Sequence, residues 1–248
     1  MGQVVKLSEL TPDIIQITME DRSSRNTFSK ELMSGLISVF EEIKQNNTYK
    51  VAILTGYENY FCCGGAKEEL LRIFKKEIKF NDLNFFTLPL DCDIPVISAM
   101  QGHGIGGGFV LGLYADFTIL GIENIYTTNF MKYGFTPGMG GTLMVPLRLG
   151  DAVGTEMLFS ARNYRGEELK ERGVSLKVVP KSLVLKEAMD LARSLAEKPR
   201  LSLITLKKHL AAGIRAKLPE VIAQELKMHD TTFHQPEVME RIEALFGQ

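Results

Sequence analysis

The chain has 248 residues, 45% hydrophobic and 24% charged, with 29 Lys and Arg against 30 Asp and Glu for a formal charge of -1. That apolar fraction supports one large core, and passing 200 residues does not in itself demand two domains. Near-neutral charge spread along the sequence excludes a nucleic-acid surface and a polybasic membrane patch, which leaves a small-molecule substrate as the expectation.

In chain order, Ile14-Ile15-Gln16-Ile17-Thr18-Met19 alternates as a half-buried strand does, and Val51-Ala52-Ile53-Leu54-Thr55 is a short apolar run of the buried kind. Between them Ser29 is placed to cap a helix whose Leu32, Leu36, Val39, Phe40 and Ile43 form one apolar stripe. Pro95-Val96-Ile97-Ser98-Ala99-Met100 reads as a third strand. It runs into a glycine-rich turn and an apolar helix over 107–114, followed by a strand over 115–120. Repetition of this unit predicts an α/β architecture with stacked sheets and helices on their faces. Beyond Pro146 the pattern becomes helical, with helices predicted over 155–160, 166–172, 183–195, 201–212 and 219–230. Pro219 suits the first position of the last of these.

Cysteines and termini narrow the setting. Adjacent Cys62 and Cys63 would make a strained pair and Cys92 stands alone, so a disulfide framework is not expected and a reducing cytoplasm is. Met1-Gly2-Gln3-Val4-Val5-Lys6 has no basic segment leading into an apolar one, and Asp116 interrupts the apolar stretch 109–120. Neither export nor membrane embedding is expected. Four dispersed histidines without paired ligand spacing predict no metal site.

The glycines carry the chemistry. Gly102-His103-Gly104-Ile105-Gly106-Gly107 fits G-x-G-x-x-G, a pattern that serves a dinucleotide pyrophosphate, a plain strand-to-helix turn, or a pair of backbone donors for a developing oxyanion. A dinucleotide fold wants an acid at the end of a second strand about twenty residues on. Glu123 instead falls in a loop-like stretch.

Gly104-Ile105-Gly106-Gly107-Gly108-Phe109-Val110 and Asn129-Phe130-Met131-Lys132-Tyr133-Gly134-Phe135-Thr136-Pro137-Gly138-Met139-Gly140-Gly141-Thr142, with the earlier loop Phe61-Cys62-Cys63-Gly64-Gly65-Ala66, closely resemble the signature stretches of the crotonase (enoyl-CoA hydratase/isomerase) family. The resemblance implies the ClpP/crotonase-like α/β spiral of stacked ββα units over 1–198. A C-terminal helical region over 199–248 would cap the acyl site and contribute to a homotrimer. It also implies that the amides of Gly65 and Gly107 hold the thioester oxygen. Family members that add or remove water carry glutamates where Val110 and Phe130 stand here. A site that stabilises an enolate but lacks both carboxylates suits a reaction that makes the enolate by breaking C–C and not C–H. An acid beside a substrate carboxylate would also repel it, by about 4 kcal/mol at about 4 Å and an effective dielectric near 20.

Within the family, Asp91-Cys92-Asp93-Ile94-Pro95, Met100-Gln101-Gly102-His103-Gly104, Tyr164-Arg165-Gly166 and Lys198-Pro199-Arg200-Leu201-Ser202-Leu203 resemble the decarboxylases of polyketide β-branching. Such enzymes act on 3-methylglutaconyl groups held on an acyl carrier protein of a polyketide synthase complex, and give a 3-methylcrotonyl-type thioester. No cofactor is implied beyond the phosphopantetheine that carries the substrate. The resemblance further assigns Lys79 and His229 to contact with the departing carboxylate and to the returning proton, without dividing those tasks. His229 follows Ile222 and Leu226 at helical spacing, which by itself equally fits a core histidine. Tyr133 and Phe135 are expected to line the acyl pocket, His103 to shape the glycine turn, and His209 and His234 to serve surface or packing roles. Two rival readings stand beside decarboxylation: an enoyl-thioester isomerase and a non-catalytic trimeric scaffold. Missing nucleophile motifs exclude a serine or cysteine hydrolase.

Overall fold

The computed structural model describes residues 3–78 and 85–246, and within them the chain steps repeatedly between two sheets. β1 (Val5–Thr11) and β2 (Ile14–Met19) pair antiparallel in the larger sheet and lead to α1 (Lys30–Gln45). Next, β3 (Val51–Thr55) joins the larger sheet and β4 (Tyr60–Cys62) the smaller, before α2 (Lys67–Phe74) and the short α3 (Leu88–Asp91). The same step recurs as β5 (Val96–Met100), β6 (His103–Ile105) and α4 (Gly107–Leu113). It recurs again as β7 (Phe117–Gly121), β8 (Ile125–Thr127), a 3-10 turn at Met131–Tyr133 and α5 (Gly141–Leu149). The remainder is α6 (Asp151–Ser160), β9 (Tyr164–Arg165), α7 (Gly166–Glu171), β10 (Lys177–Val179), α8 (Val184–Ala196), α9 (Arg200–Thr232) and α10 (Pro236–Leu245). This is the spiral of stacked ββα units that the signature stretches implied.

The larger sheet runs β1-β2-β3-β5-β7-β10, parallel from β2 onward, and the smaller runs β4-β6-β8-β9. Parallel strands covered on both faces read as continuous apolar runs, which is why Val51–Thr55 showed no alternation. Its pleat still sorts the side chains. Val51 and Ile53, with Ile97, Ala99 and Ile119 of β5 and β7, face Val184, Ala188, Ala192 and Ala196 of α8. Ala52 and Leu54 face the main core on the other side. Alanines at every fourth position let α8 lie close on the sheet. Helix α1 forms as its pattern predicts, with Ser29 Oγ accepting from the Leu32 N–H at 3.1 Å and the apolar stripe buried.

Two of the predicted helices prove to be one. The stretches 201–212 and 219–230 belong to the single 33-residue helix α9, with Pro219 inside it. A proline there removes one helical hydrogen bond and costs roughly 3 kcal/mol, so packing on both sides must hold the helix through it. Leu218 is buried beside the proline, while Lys207 and Glu225 make buried polar contacts on either side. α9 and α10 place Ala211, Leu218, Phe233, Val238 and Ile242 in the same core as the strands.

Lys207 is the firmest of these anchors. Its ammonium donates to the carbonyls of Pro89 (2.8 Å) and Ile94 (3.0 Å) and lies 2.8 Å from the Asp116 carboxylate, which also accepts from the Val96 N–H. Asp116, which interrupts the apolar stretch, is therefore the counter-ion that fixes α9 against the starts of β5 and β7. Lys207→Met should lower unfolding free energy by roughly 2–3 kcal/mol, below the range for a fully buried pair because Asp116 keeps some contact with water. Urea unfolding of the two proteins measures this. A change within error would show that the pair contributes nothing net.

Candidate active site

Two tight turns are pressed backbone to backbone at the centre of the molecule. Gly64 has φ +74°, and a Cβ there would lie 2.6 Å from the Ile105 carbonyl and 3.1 Å from the Gly107 nitrogen. A Cβ on Gly108 would meet the Cys62 carbonyl at 2.3 Å. No other residue type fits either place. Gly106, also left-handed at φ +55°, caps α4, so Gly107 is the first residue of that helix and its N–H falls among those a helix leaves unbonded. Among the described residues no acceptor is found for the amide of Gly65 or of Gly107. Both line a single cavity of about 700 Å³.

The first turn is held by a residue that the sequence did not flag. Asn26, fully buried at φ +54°, donates through Nδ2 to the carbonyls of Met19 and Phe61, each at 2.9 Å, and accepts from the Asp21 N–H at 2.7 Å. Its own carbonyl takes the Cys63 N–H at 3.1 Å, and the Phe28 N–H bonds the Gly64 carbonyl at 2.7 Å. An asparagine in a left-handed turn after a strand was the available signal.

Around the two amides the cavity divides by polarity. Phe130, Tyr133, Phe135 and Phe246 make one wall, with Tyr133 stacked between Phe135 (6.2 Å) and Phe246 (6.3 Å). Arg25, Lys67 and Lys132 line it elsewhere. Glu68 is the one carboxylate among the described lining residues, and it is exposed on the first turn of α2. His103 also reaches the cavity, but its Nδ1 accepts from the Ile125 N–H at 3.0 Å, and burial, then Lys181 and Arg165, hold its pKa below the ordinary value. Cys63 lines the wall as a neutral thiol, pushed by burial up to about 11.

Of the residues expected in the site, Gly65, Gly107, Phe130, Tyr133 and Phe135 thus meet on one cavity. Val110 does not line it. The valine is fully buried in α4, and its Cγ2 lies 3.5 Å from where a Cβ on Gly141 would be, with Phe130 Cε2 at 3.9 Å from the same point. The two places without a carboxylate therefore converge on the start of α5. Lys79 lies outside the described residues.

His229 sits on the buried face of α9, next to the cavity but not on it. Its Nε2 is 2.8 Å from the Thr136 carbonyl, which requires the Nε2–H tautomer, and its ring packs on Phe135 and Phe233. Burial pushes this imidazole below its ordinary pKa, opposed by the Thr136 carbonyl. One turn earlier Glu225, also buried, accepts from the Gly140 N–H (2.7 Å), the Thr142 N–H (2.9 Å) and the Thr142 hydroxyl (2.6 Å). Tyr114 completes this clamp by donating to the Met139 carbonyl at 2.7 Å. Between those two bonds Met139 is held at φ +62°, a conformation that costs a residue with a side chain roughly 1–3 kcal/mol.

The chain matches the enoyl-CoA hydratase/isomerase family over residues 9–246. It is 57% identical over 244 residues, 98% of either chain, to the bacillaene synthase decarboxylase PksI of Bacillus subtilis (strain 168). Among solved structures it aligns with a TM-score of 0.98 and 57% identity to a chain from a dehydratase/decarboxylase enzyme couple involved in polyketide beta-branching, covering 99% of this chain and 100% of the other. It aligns at 0.94 and 50% identity with the ECH2 decarboxylase domain of CurF from Lyngbya majuscula, over 98% and 99% of the two chains.

The depressed pKa of His229 makes stability depend on pH in a definite direction. Below the ordinary value of 6.5 the unfolded chain takes up a proton that the folded imidazole refuses. The stability this residue contributes is therefore present above 6.5 and lost as pH falls through the folded value. His229→Gln, which cannot titrate, should lose less melting temperature than the parent between about pH 7.5 and about pH 5.5. Calorimetry at the two pH values decides it, and equal losses would clear the imidazole.

Proposed function

The chain belongs to the enoyl-CoA hydratase/isomerase family, and from that premise we propose that it decarboxylates a 3-methylglutaconyl-type thioester on an acyl carrier protein during polyketide β-branching. The observation that carries this reading is a cavity lined by two glycine amides, of Gly65 and Gly107, that have no acceptor among the described residues, and whose two neighbouring carboxylate positions are Val110 and Phe130. High identity to proteins named as decarboxylases supports it.

The chemistry follows from where charge appears. As the bond to the distal carboxylate breaks, its electron pair moves through the C=C bond into the thioester carbonyl, and CO2 leaves. The new dienolate oxygen accepts hydrogen bonds from the N–H groups of Gly65 and Gly107, which are fixed before the reaction and need no rearrangement. Such a donor is worth roughly 3–4 kcal/mol in the transition state. Gly107 adds the positive end of a helix. A proton then returns to carbon, giving the 3-methylcrotonyl-type thioester, and we assign its delivery and the orientation of the departing carboxylate to Lys79 and His229 together. A lysine that only paired with the reactant carboxylate would stabilise the ground state, so orientation and proton supply are the useful roles.

Arg25 and Lys67 on the cavity wall suit the phosphodiester of a phosphopantetheine arm, and no other cofactor enters the scheme. Leu206 and Leu210, one turn apart on α9, are 56% and 69% exposed, an apolar face suited to burial between copies in a homotrimer. The reading also places the enzyme in the cytoplasm, where free thiols stay reduced.

Incubation with carrier protein loaded with a 3-methylglutaconyl group should yield a product lighter by one CO2, detected by intact mass. Retention of mass with a shifted double bond would instead support an isomerase, and no reaction a scaffold. Phe130→Glu puts a negative charge on the cavity wall and should lower kcat/KM by roughly a thousandfold, from a repulsion near 4 kcal/mol. Phe130→Gln, similar in size to the glutamate but uncharged, should lose far less. Equal losses would assign the effect to packing.

A further inference from the structure

A second, much smaller space adjoins the acyl cavity. It has about 10 Å³ of room, enough for at most one water, and His229, Glu225, Ile222 and Phe86 are among its walls. Met139 is the only described residue that borders both this compartment and the acyl cavity. Its thioether also lies over the oxyanion turn, since a Cβ on Gly107 would be 2.5 Å from the Met139 sulfur.

Backbone and side chain of Met139 are under different constraints. Tyr114 holds the carbonyl and Glu225 holds the following N–H, so the main chain is fixed in its left-handed conformation. The side chain has three rotatable bonds and no polar tie. It can swing while the turn stays in place.

We propose that Met139 is a positioning residue: its thioether, beside the ring of Phe135, partitions the imidazole of His229 from the acyl cavity and covers Gly107, so an acyl branch passes from the cavity into the compartment of His229 by displacing that side chain. The inference rests on the reading of His229 as a participant in decarboxylation, but the partition itself can be tested without turnover.

Diethyl pyrocarbonate acylates neutral imidazoles, and peptide mass spectrometry resolves the site, with added N-acetylhistidine as the reference for reagent reactivity. Met139→Ala removes the partition. Met139→Gly removes it and also relieves the left-handed backbone, which guards against failure to fold. Both should label His229 roughly tenfold faster, relative to N-acetylhistidine, than the parent protein, and Met139→Leu, which restores the bulk, should return the rate to within about twofold. Labelling at the parental rate in both opened variants, or a Leu variant as fast as the Ala variant, overturns the partition. If the parent protein releases no CO2 from the loaded carrier while the labelling pattern holds, the decarboxylase reading falls and the partition stands.

Discussion

Close approach of two backbones is the constraint on which the site depends. Gly64 and Gly108 bring the 61–65 turn against the 105–108 turn at distances no Cβ permits, and the amides of Gly65 and Gly107 come to share one cavity as a result. Neither turn could hold this position alone. Asn26 ties the first to β2 and β4, and the second is the entry of α4, whose apolar residues are buried between the two sheets. The spiral fold thus spends its most buried volume on presenting two N–H groups in a place from which water can be excluded, where their dipoles act at low dielectric.

Exchange of carboxylates for Val110 and Phe130 changes what such a pocket can do without altering its frame. A glutamate at either place would bring a proton acceptor toward the substrate's carbon skeleton and a negative charge toward its carboxylate. An apolar pair removes both. The two residues act from different depths: Phe130 forms the wall itself, while Val110 fills the space behind it beside Gly141. The remaining acid among the described lining residues, Glu68, is out at the exposed start of α2.

Much of this was legible in the sequence where a residue type has only one physical use. The glycine runs pointed to the two turns, Ser29 to the start of α1, and the run 51–55 to a central strand. The smaller sheet was not legible, because β4, β6 and β8 are three residues each, too short for any period to show, and β6 is interrupted by Gly104. Pro219 misled because local cost was outweighed by the packing of Leu218 and the anchors at Lys207 and Glu225, which join residues more than 80 positions apart. Met139 and Glu225 lie in stretches that carry the family resemblance, but nothing in their residue type or spacing gave either a role. Their importance comes from meeting across that same separation, at a turn whose geometry neither residue announces.

Helix α9 gives the site its scale. Glu225 and His229 are one turn apart on the same buried face, about 6 Å along the axis, and the first grips the loop that covers Gly107 while the second carries the imidazole. A carboxylate and four residues of helix therefore act as a ruler between the imidazole and the turn that lies over Gly107. Breathing of the surrounding loops can alter who enters. It cannot easily change the interval, because both marks are cut on the same rod.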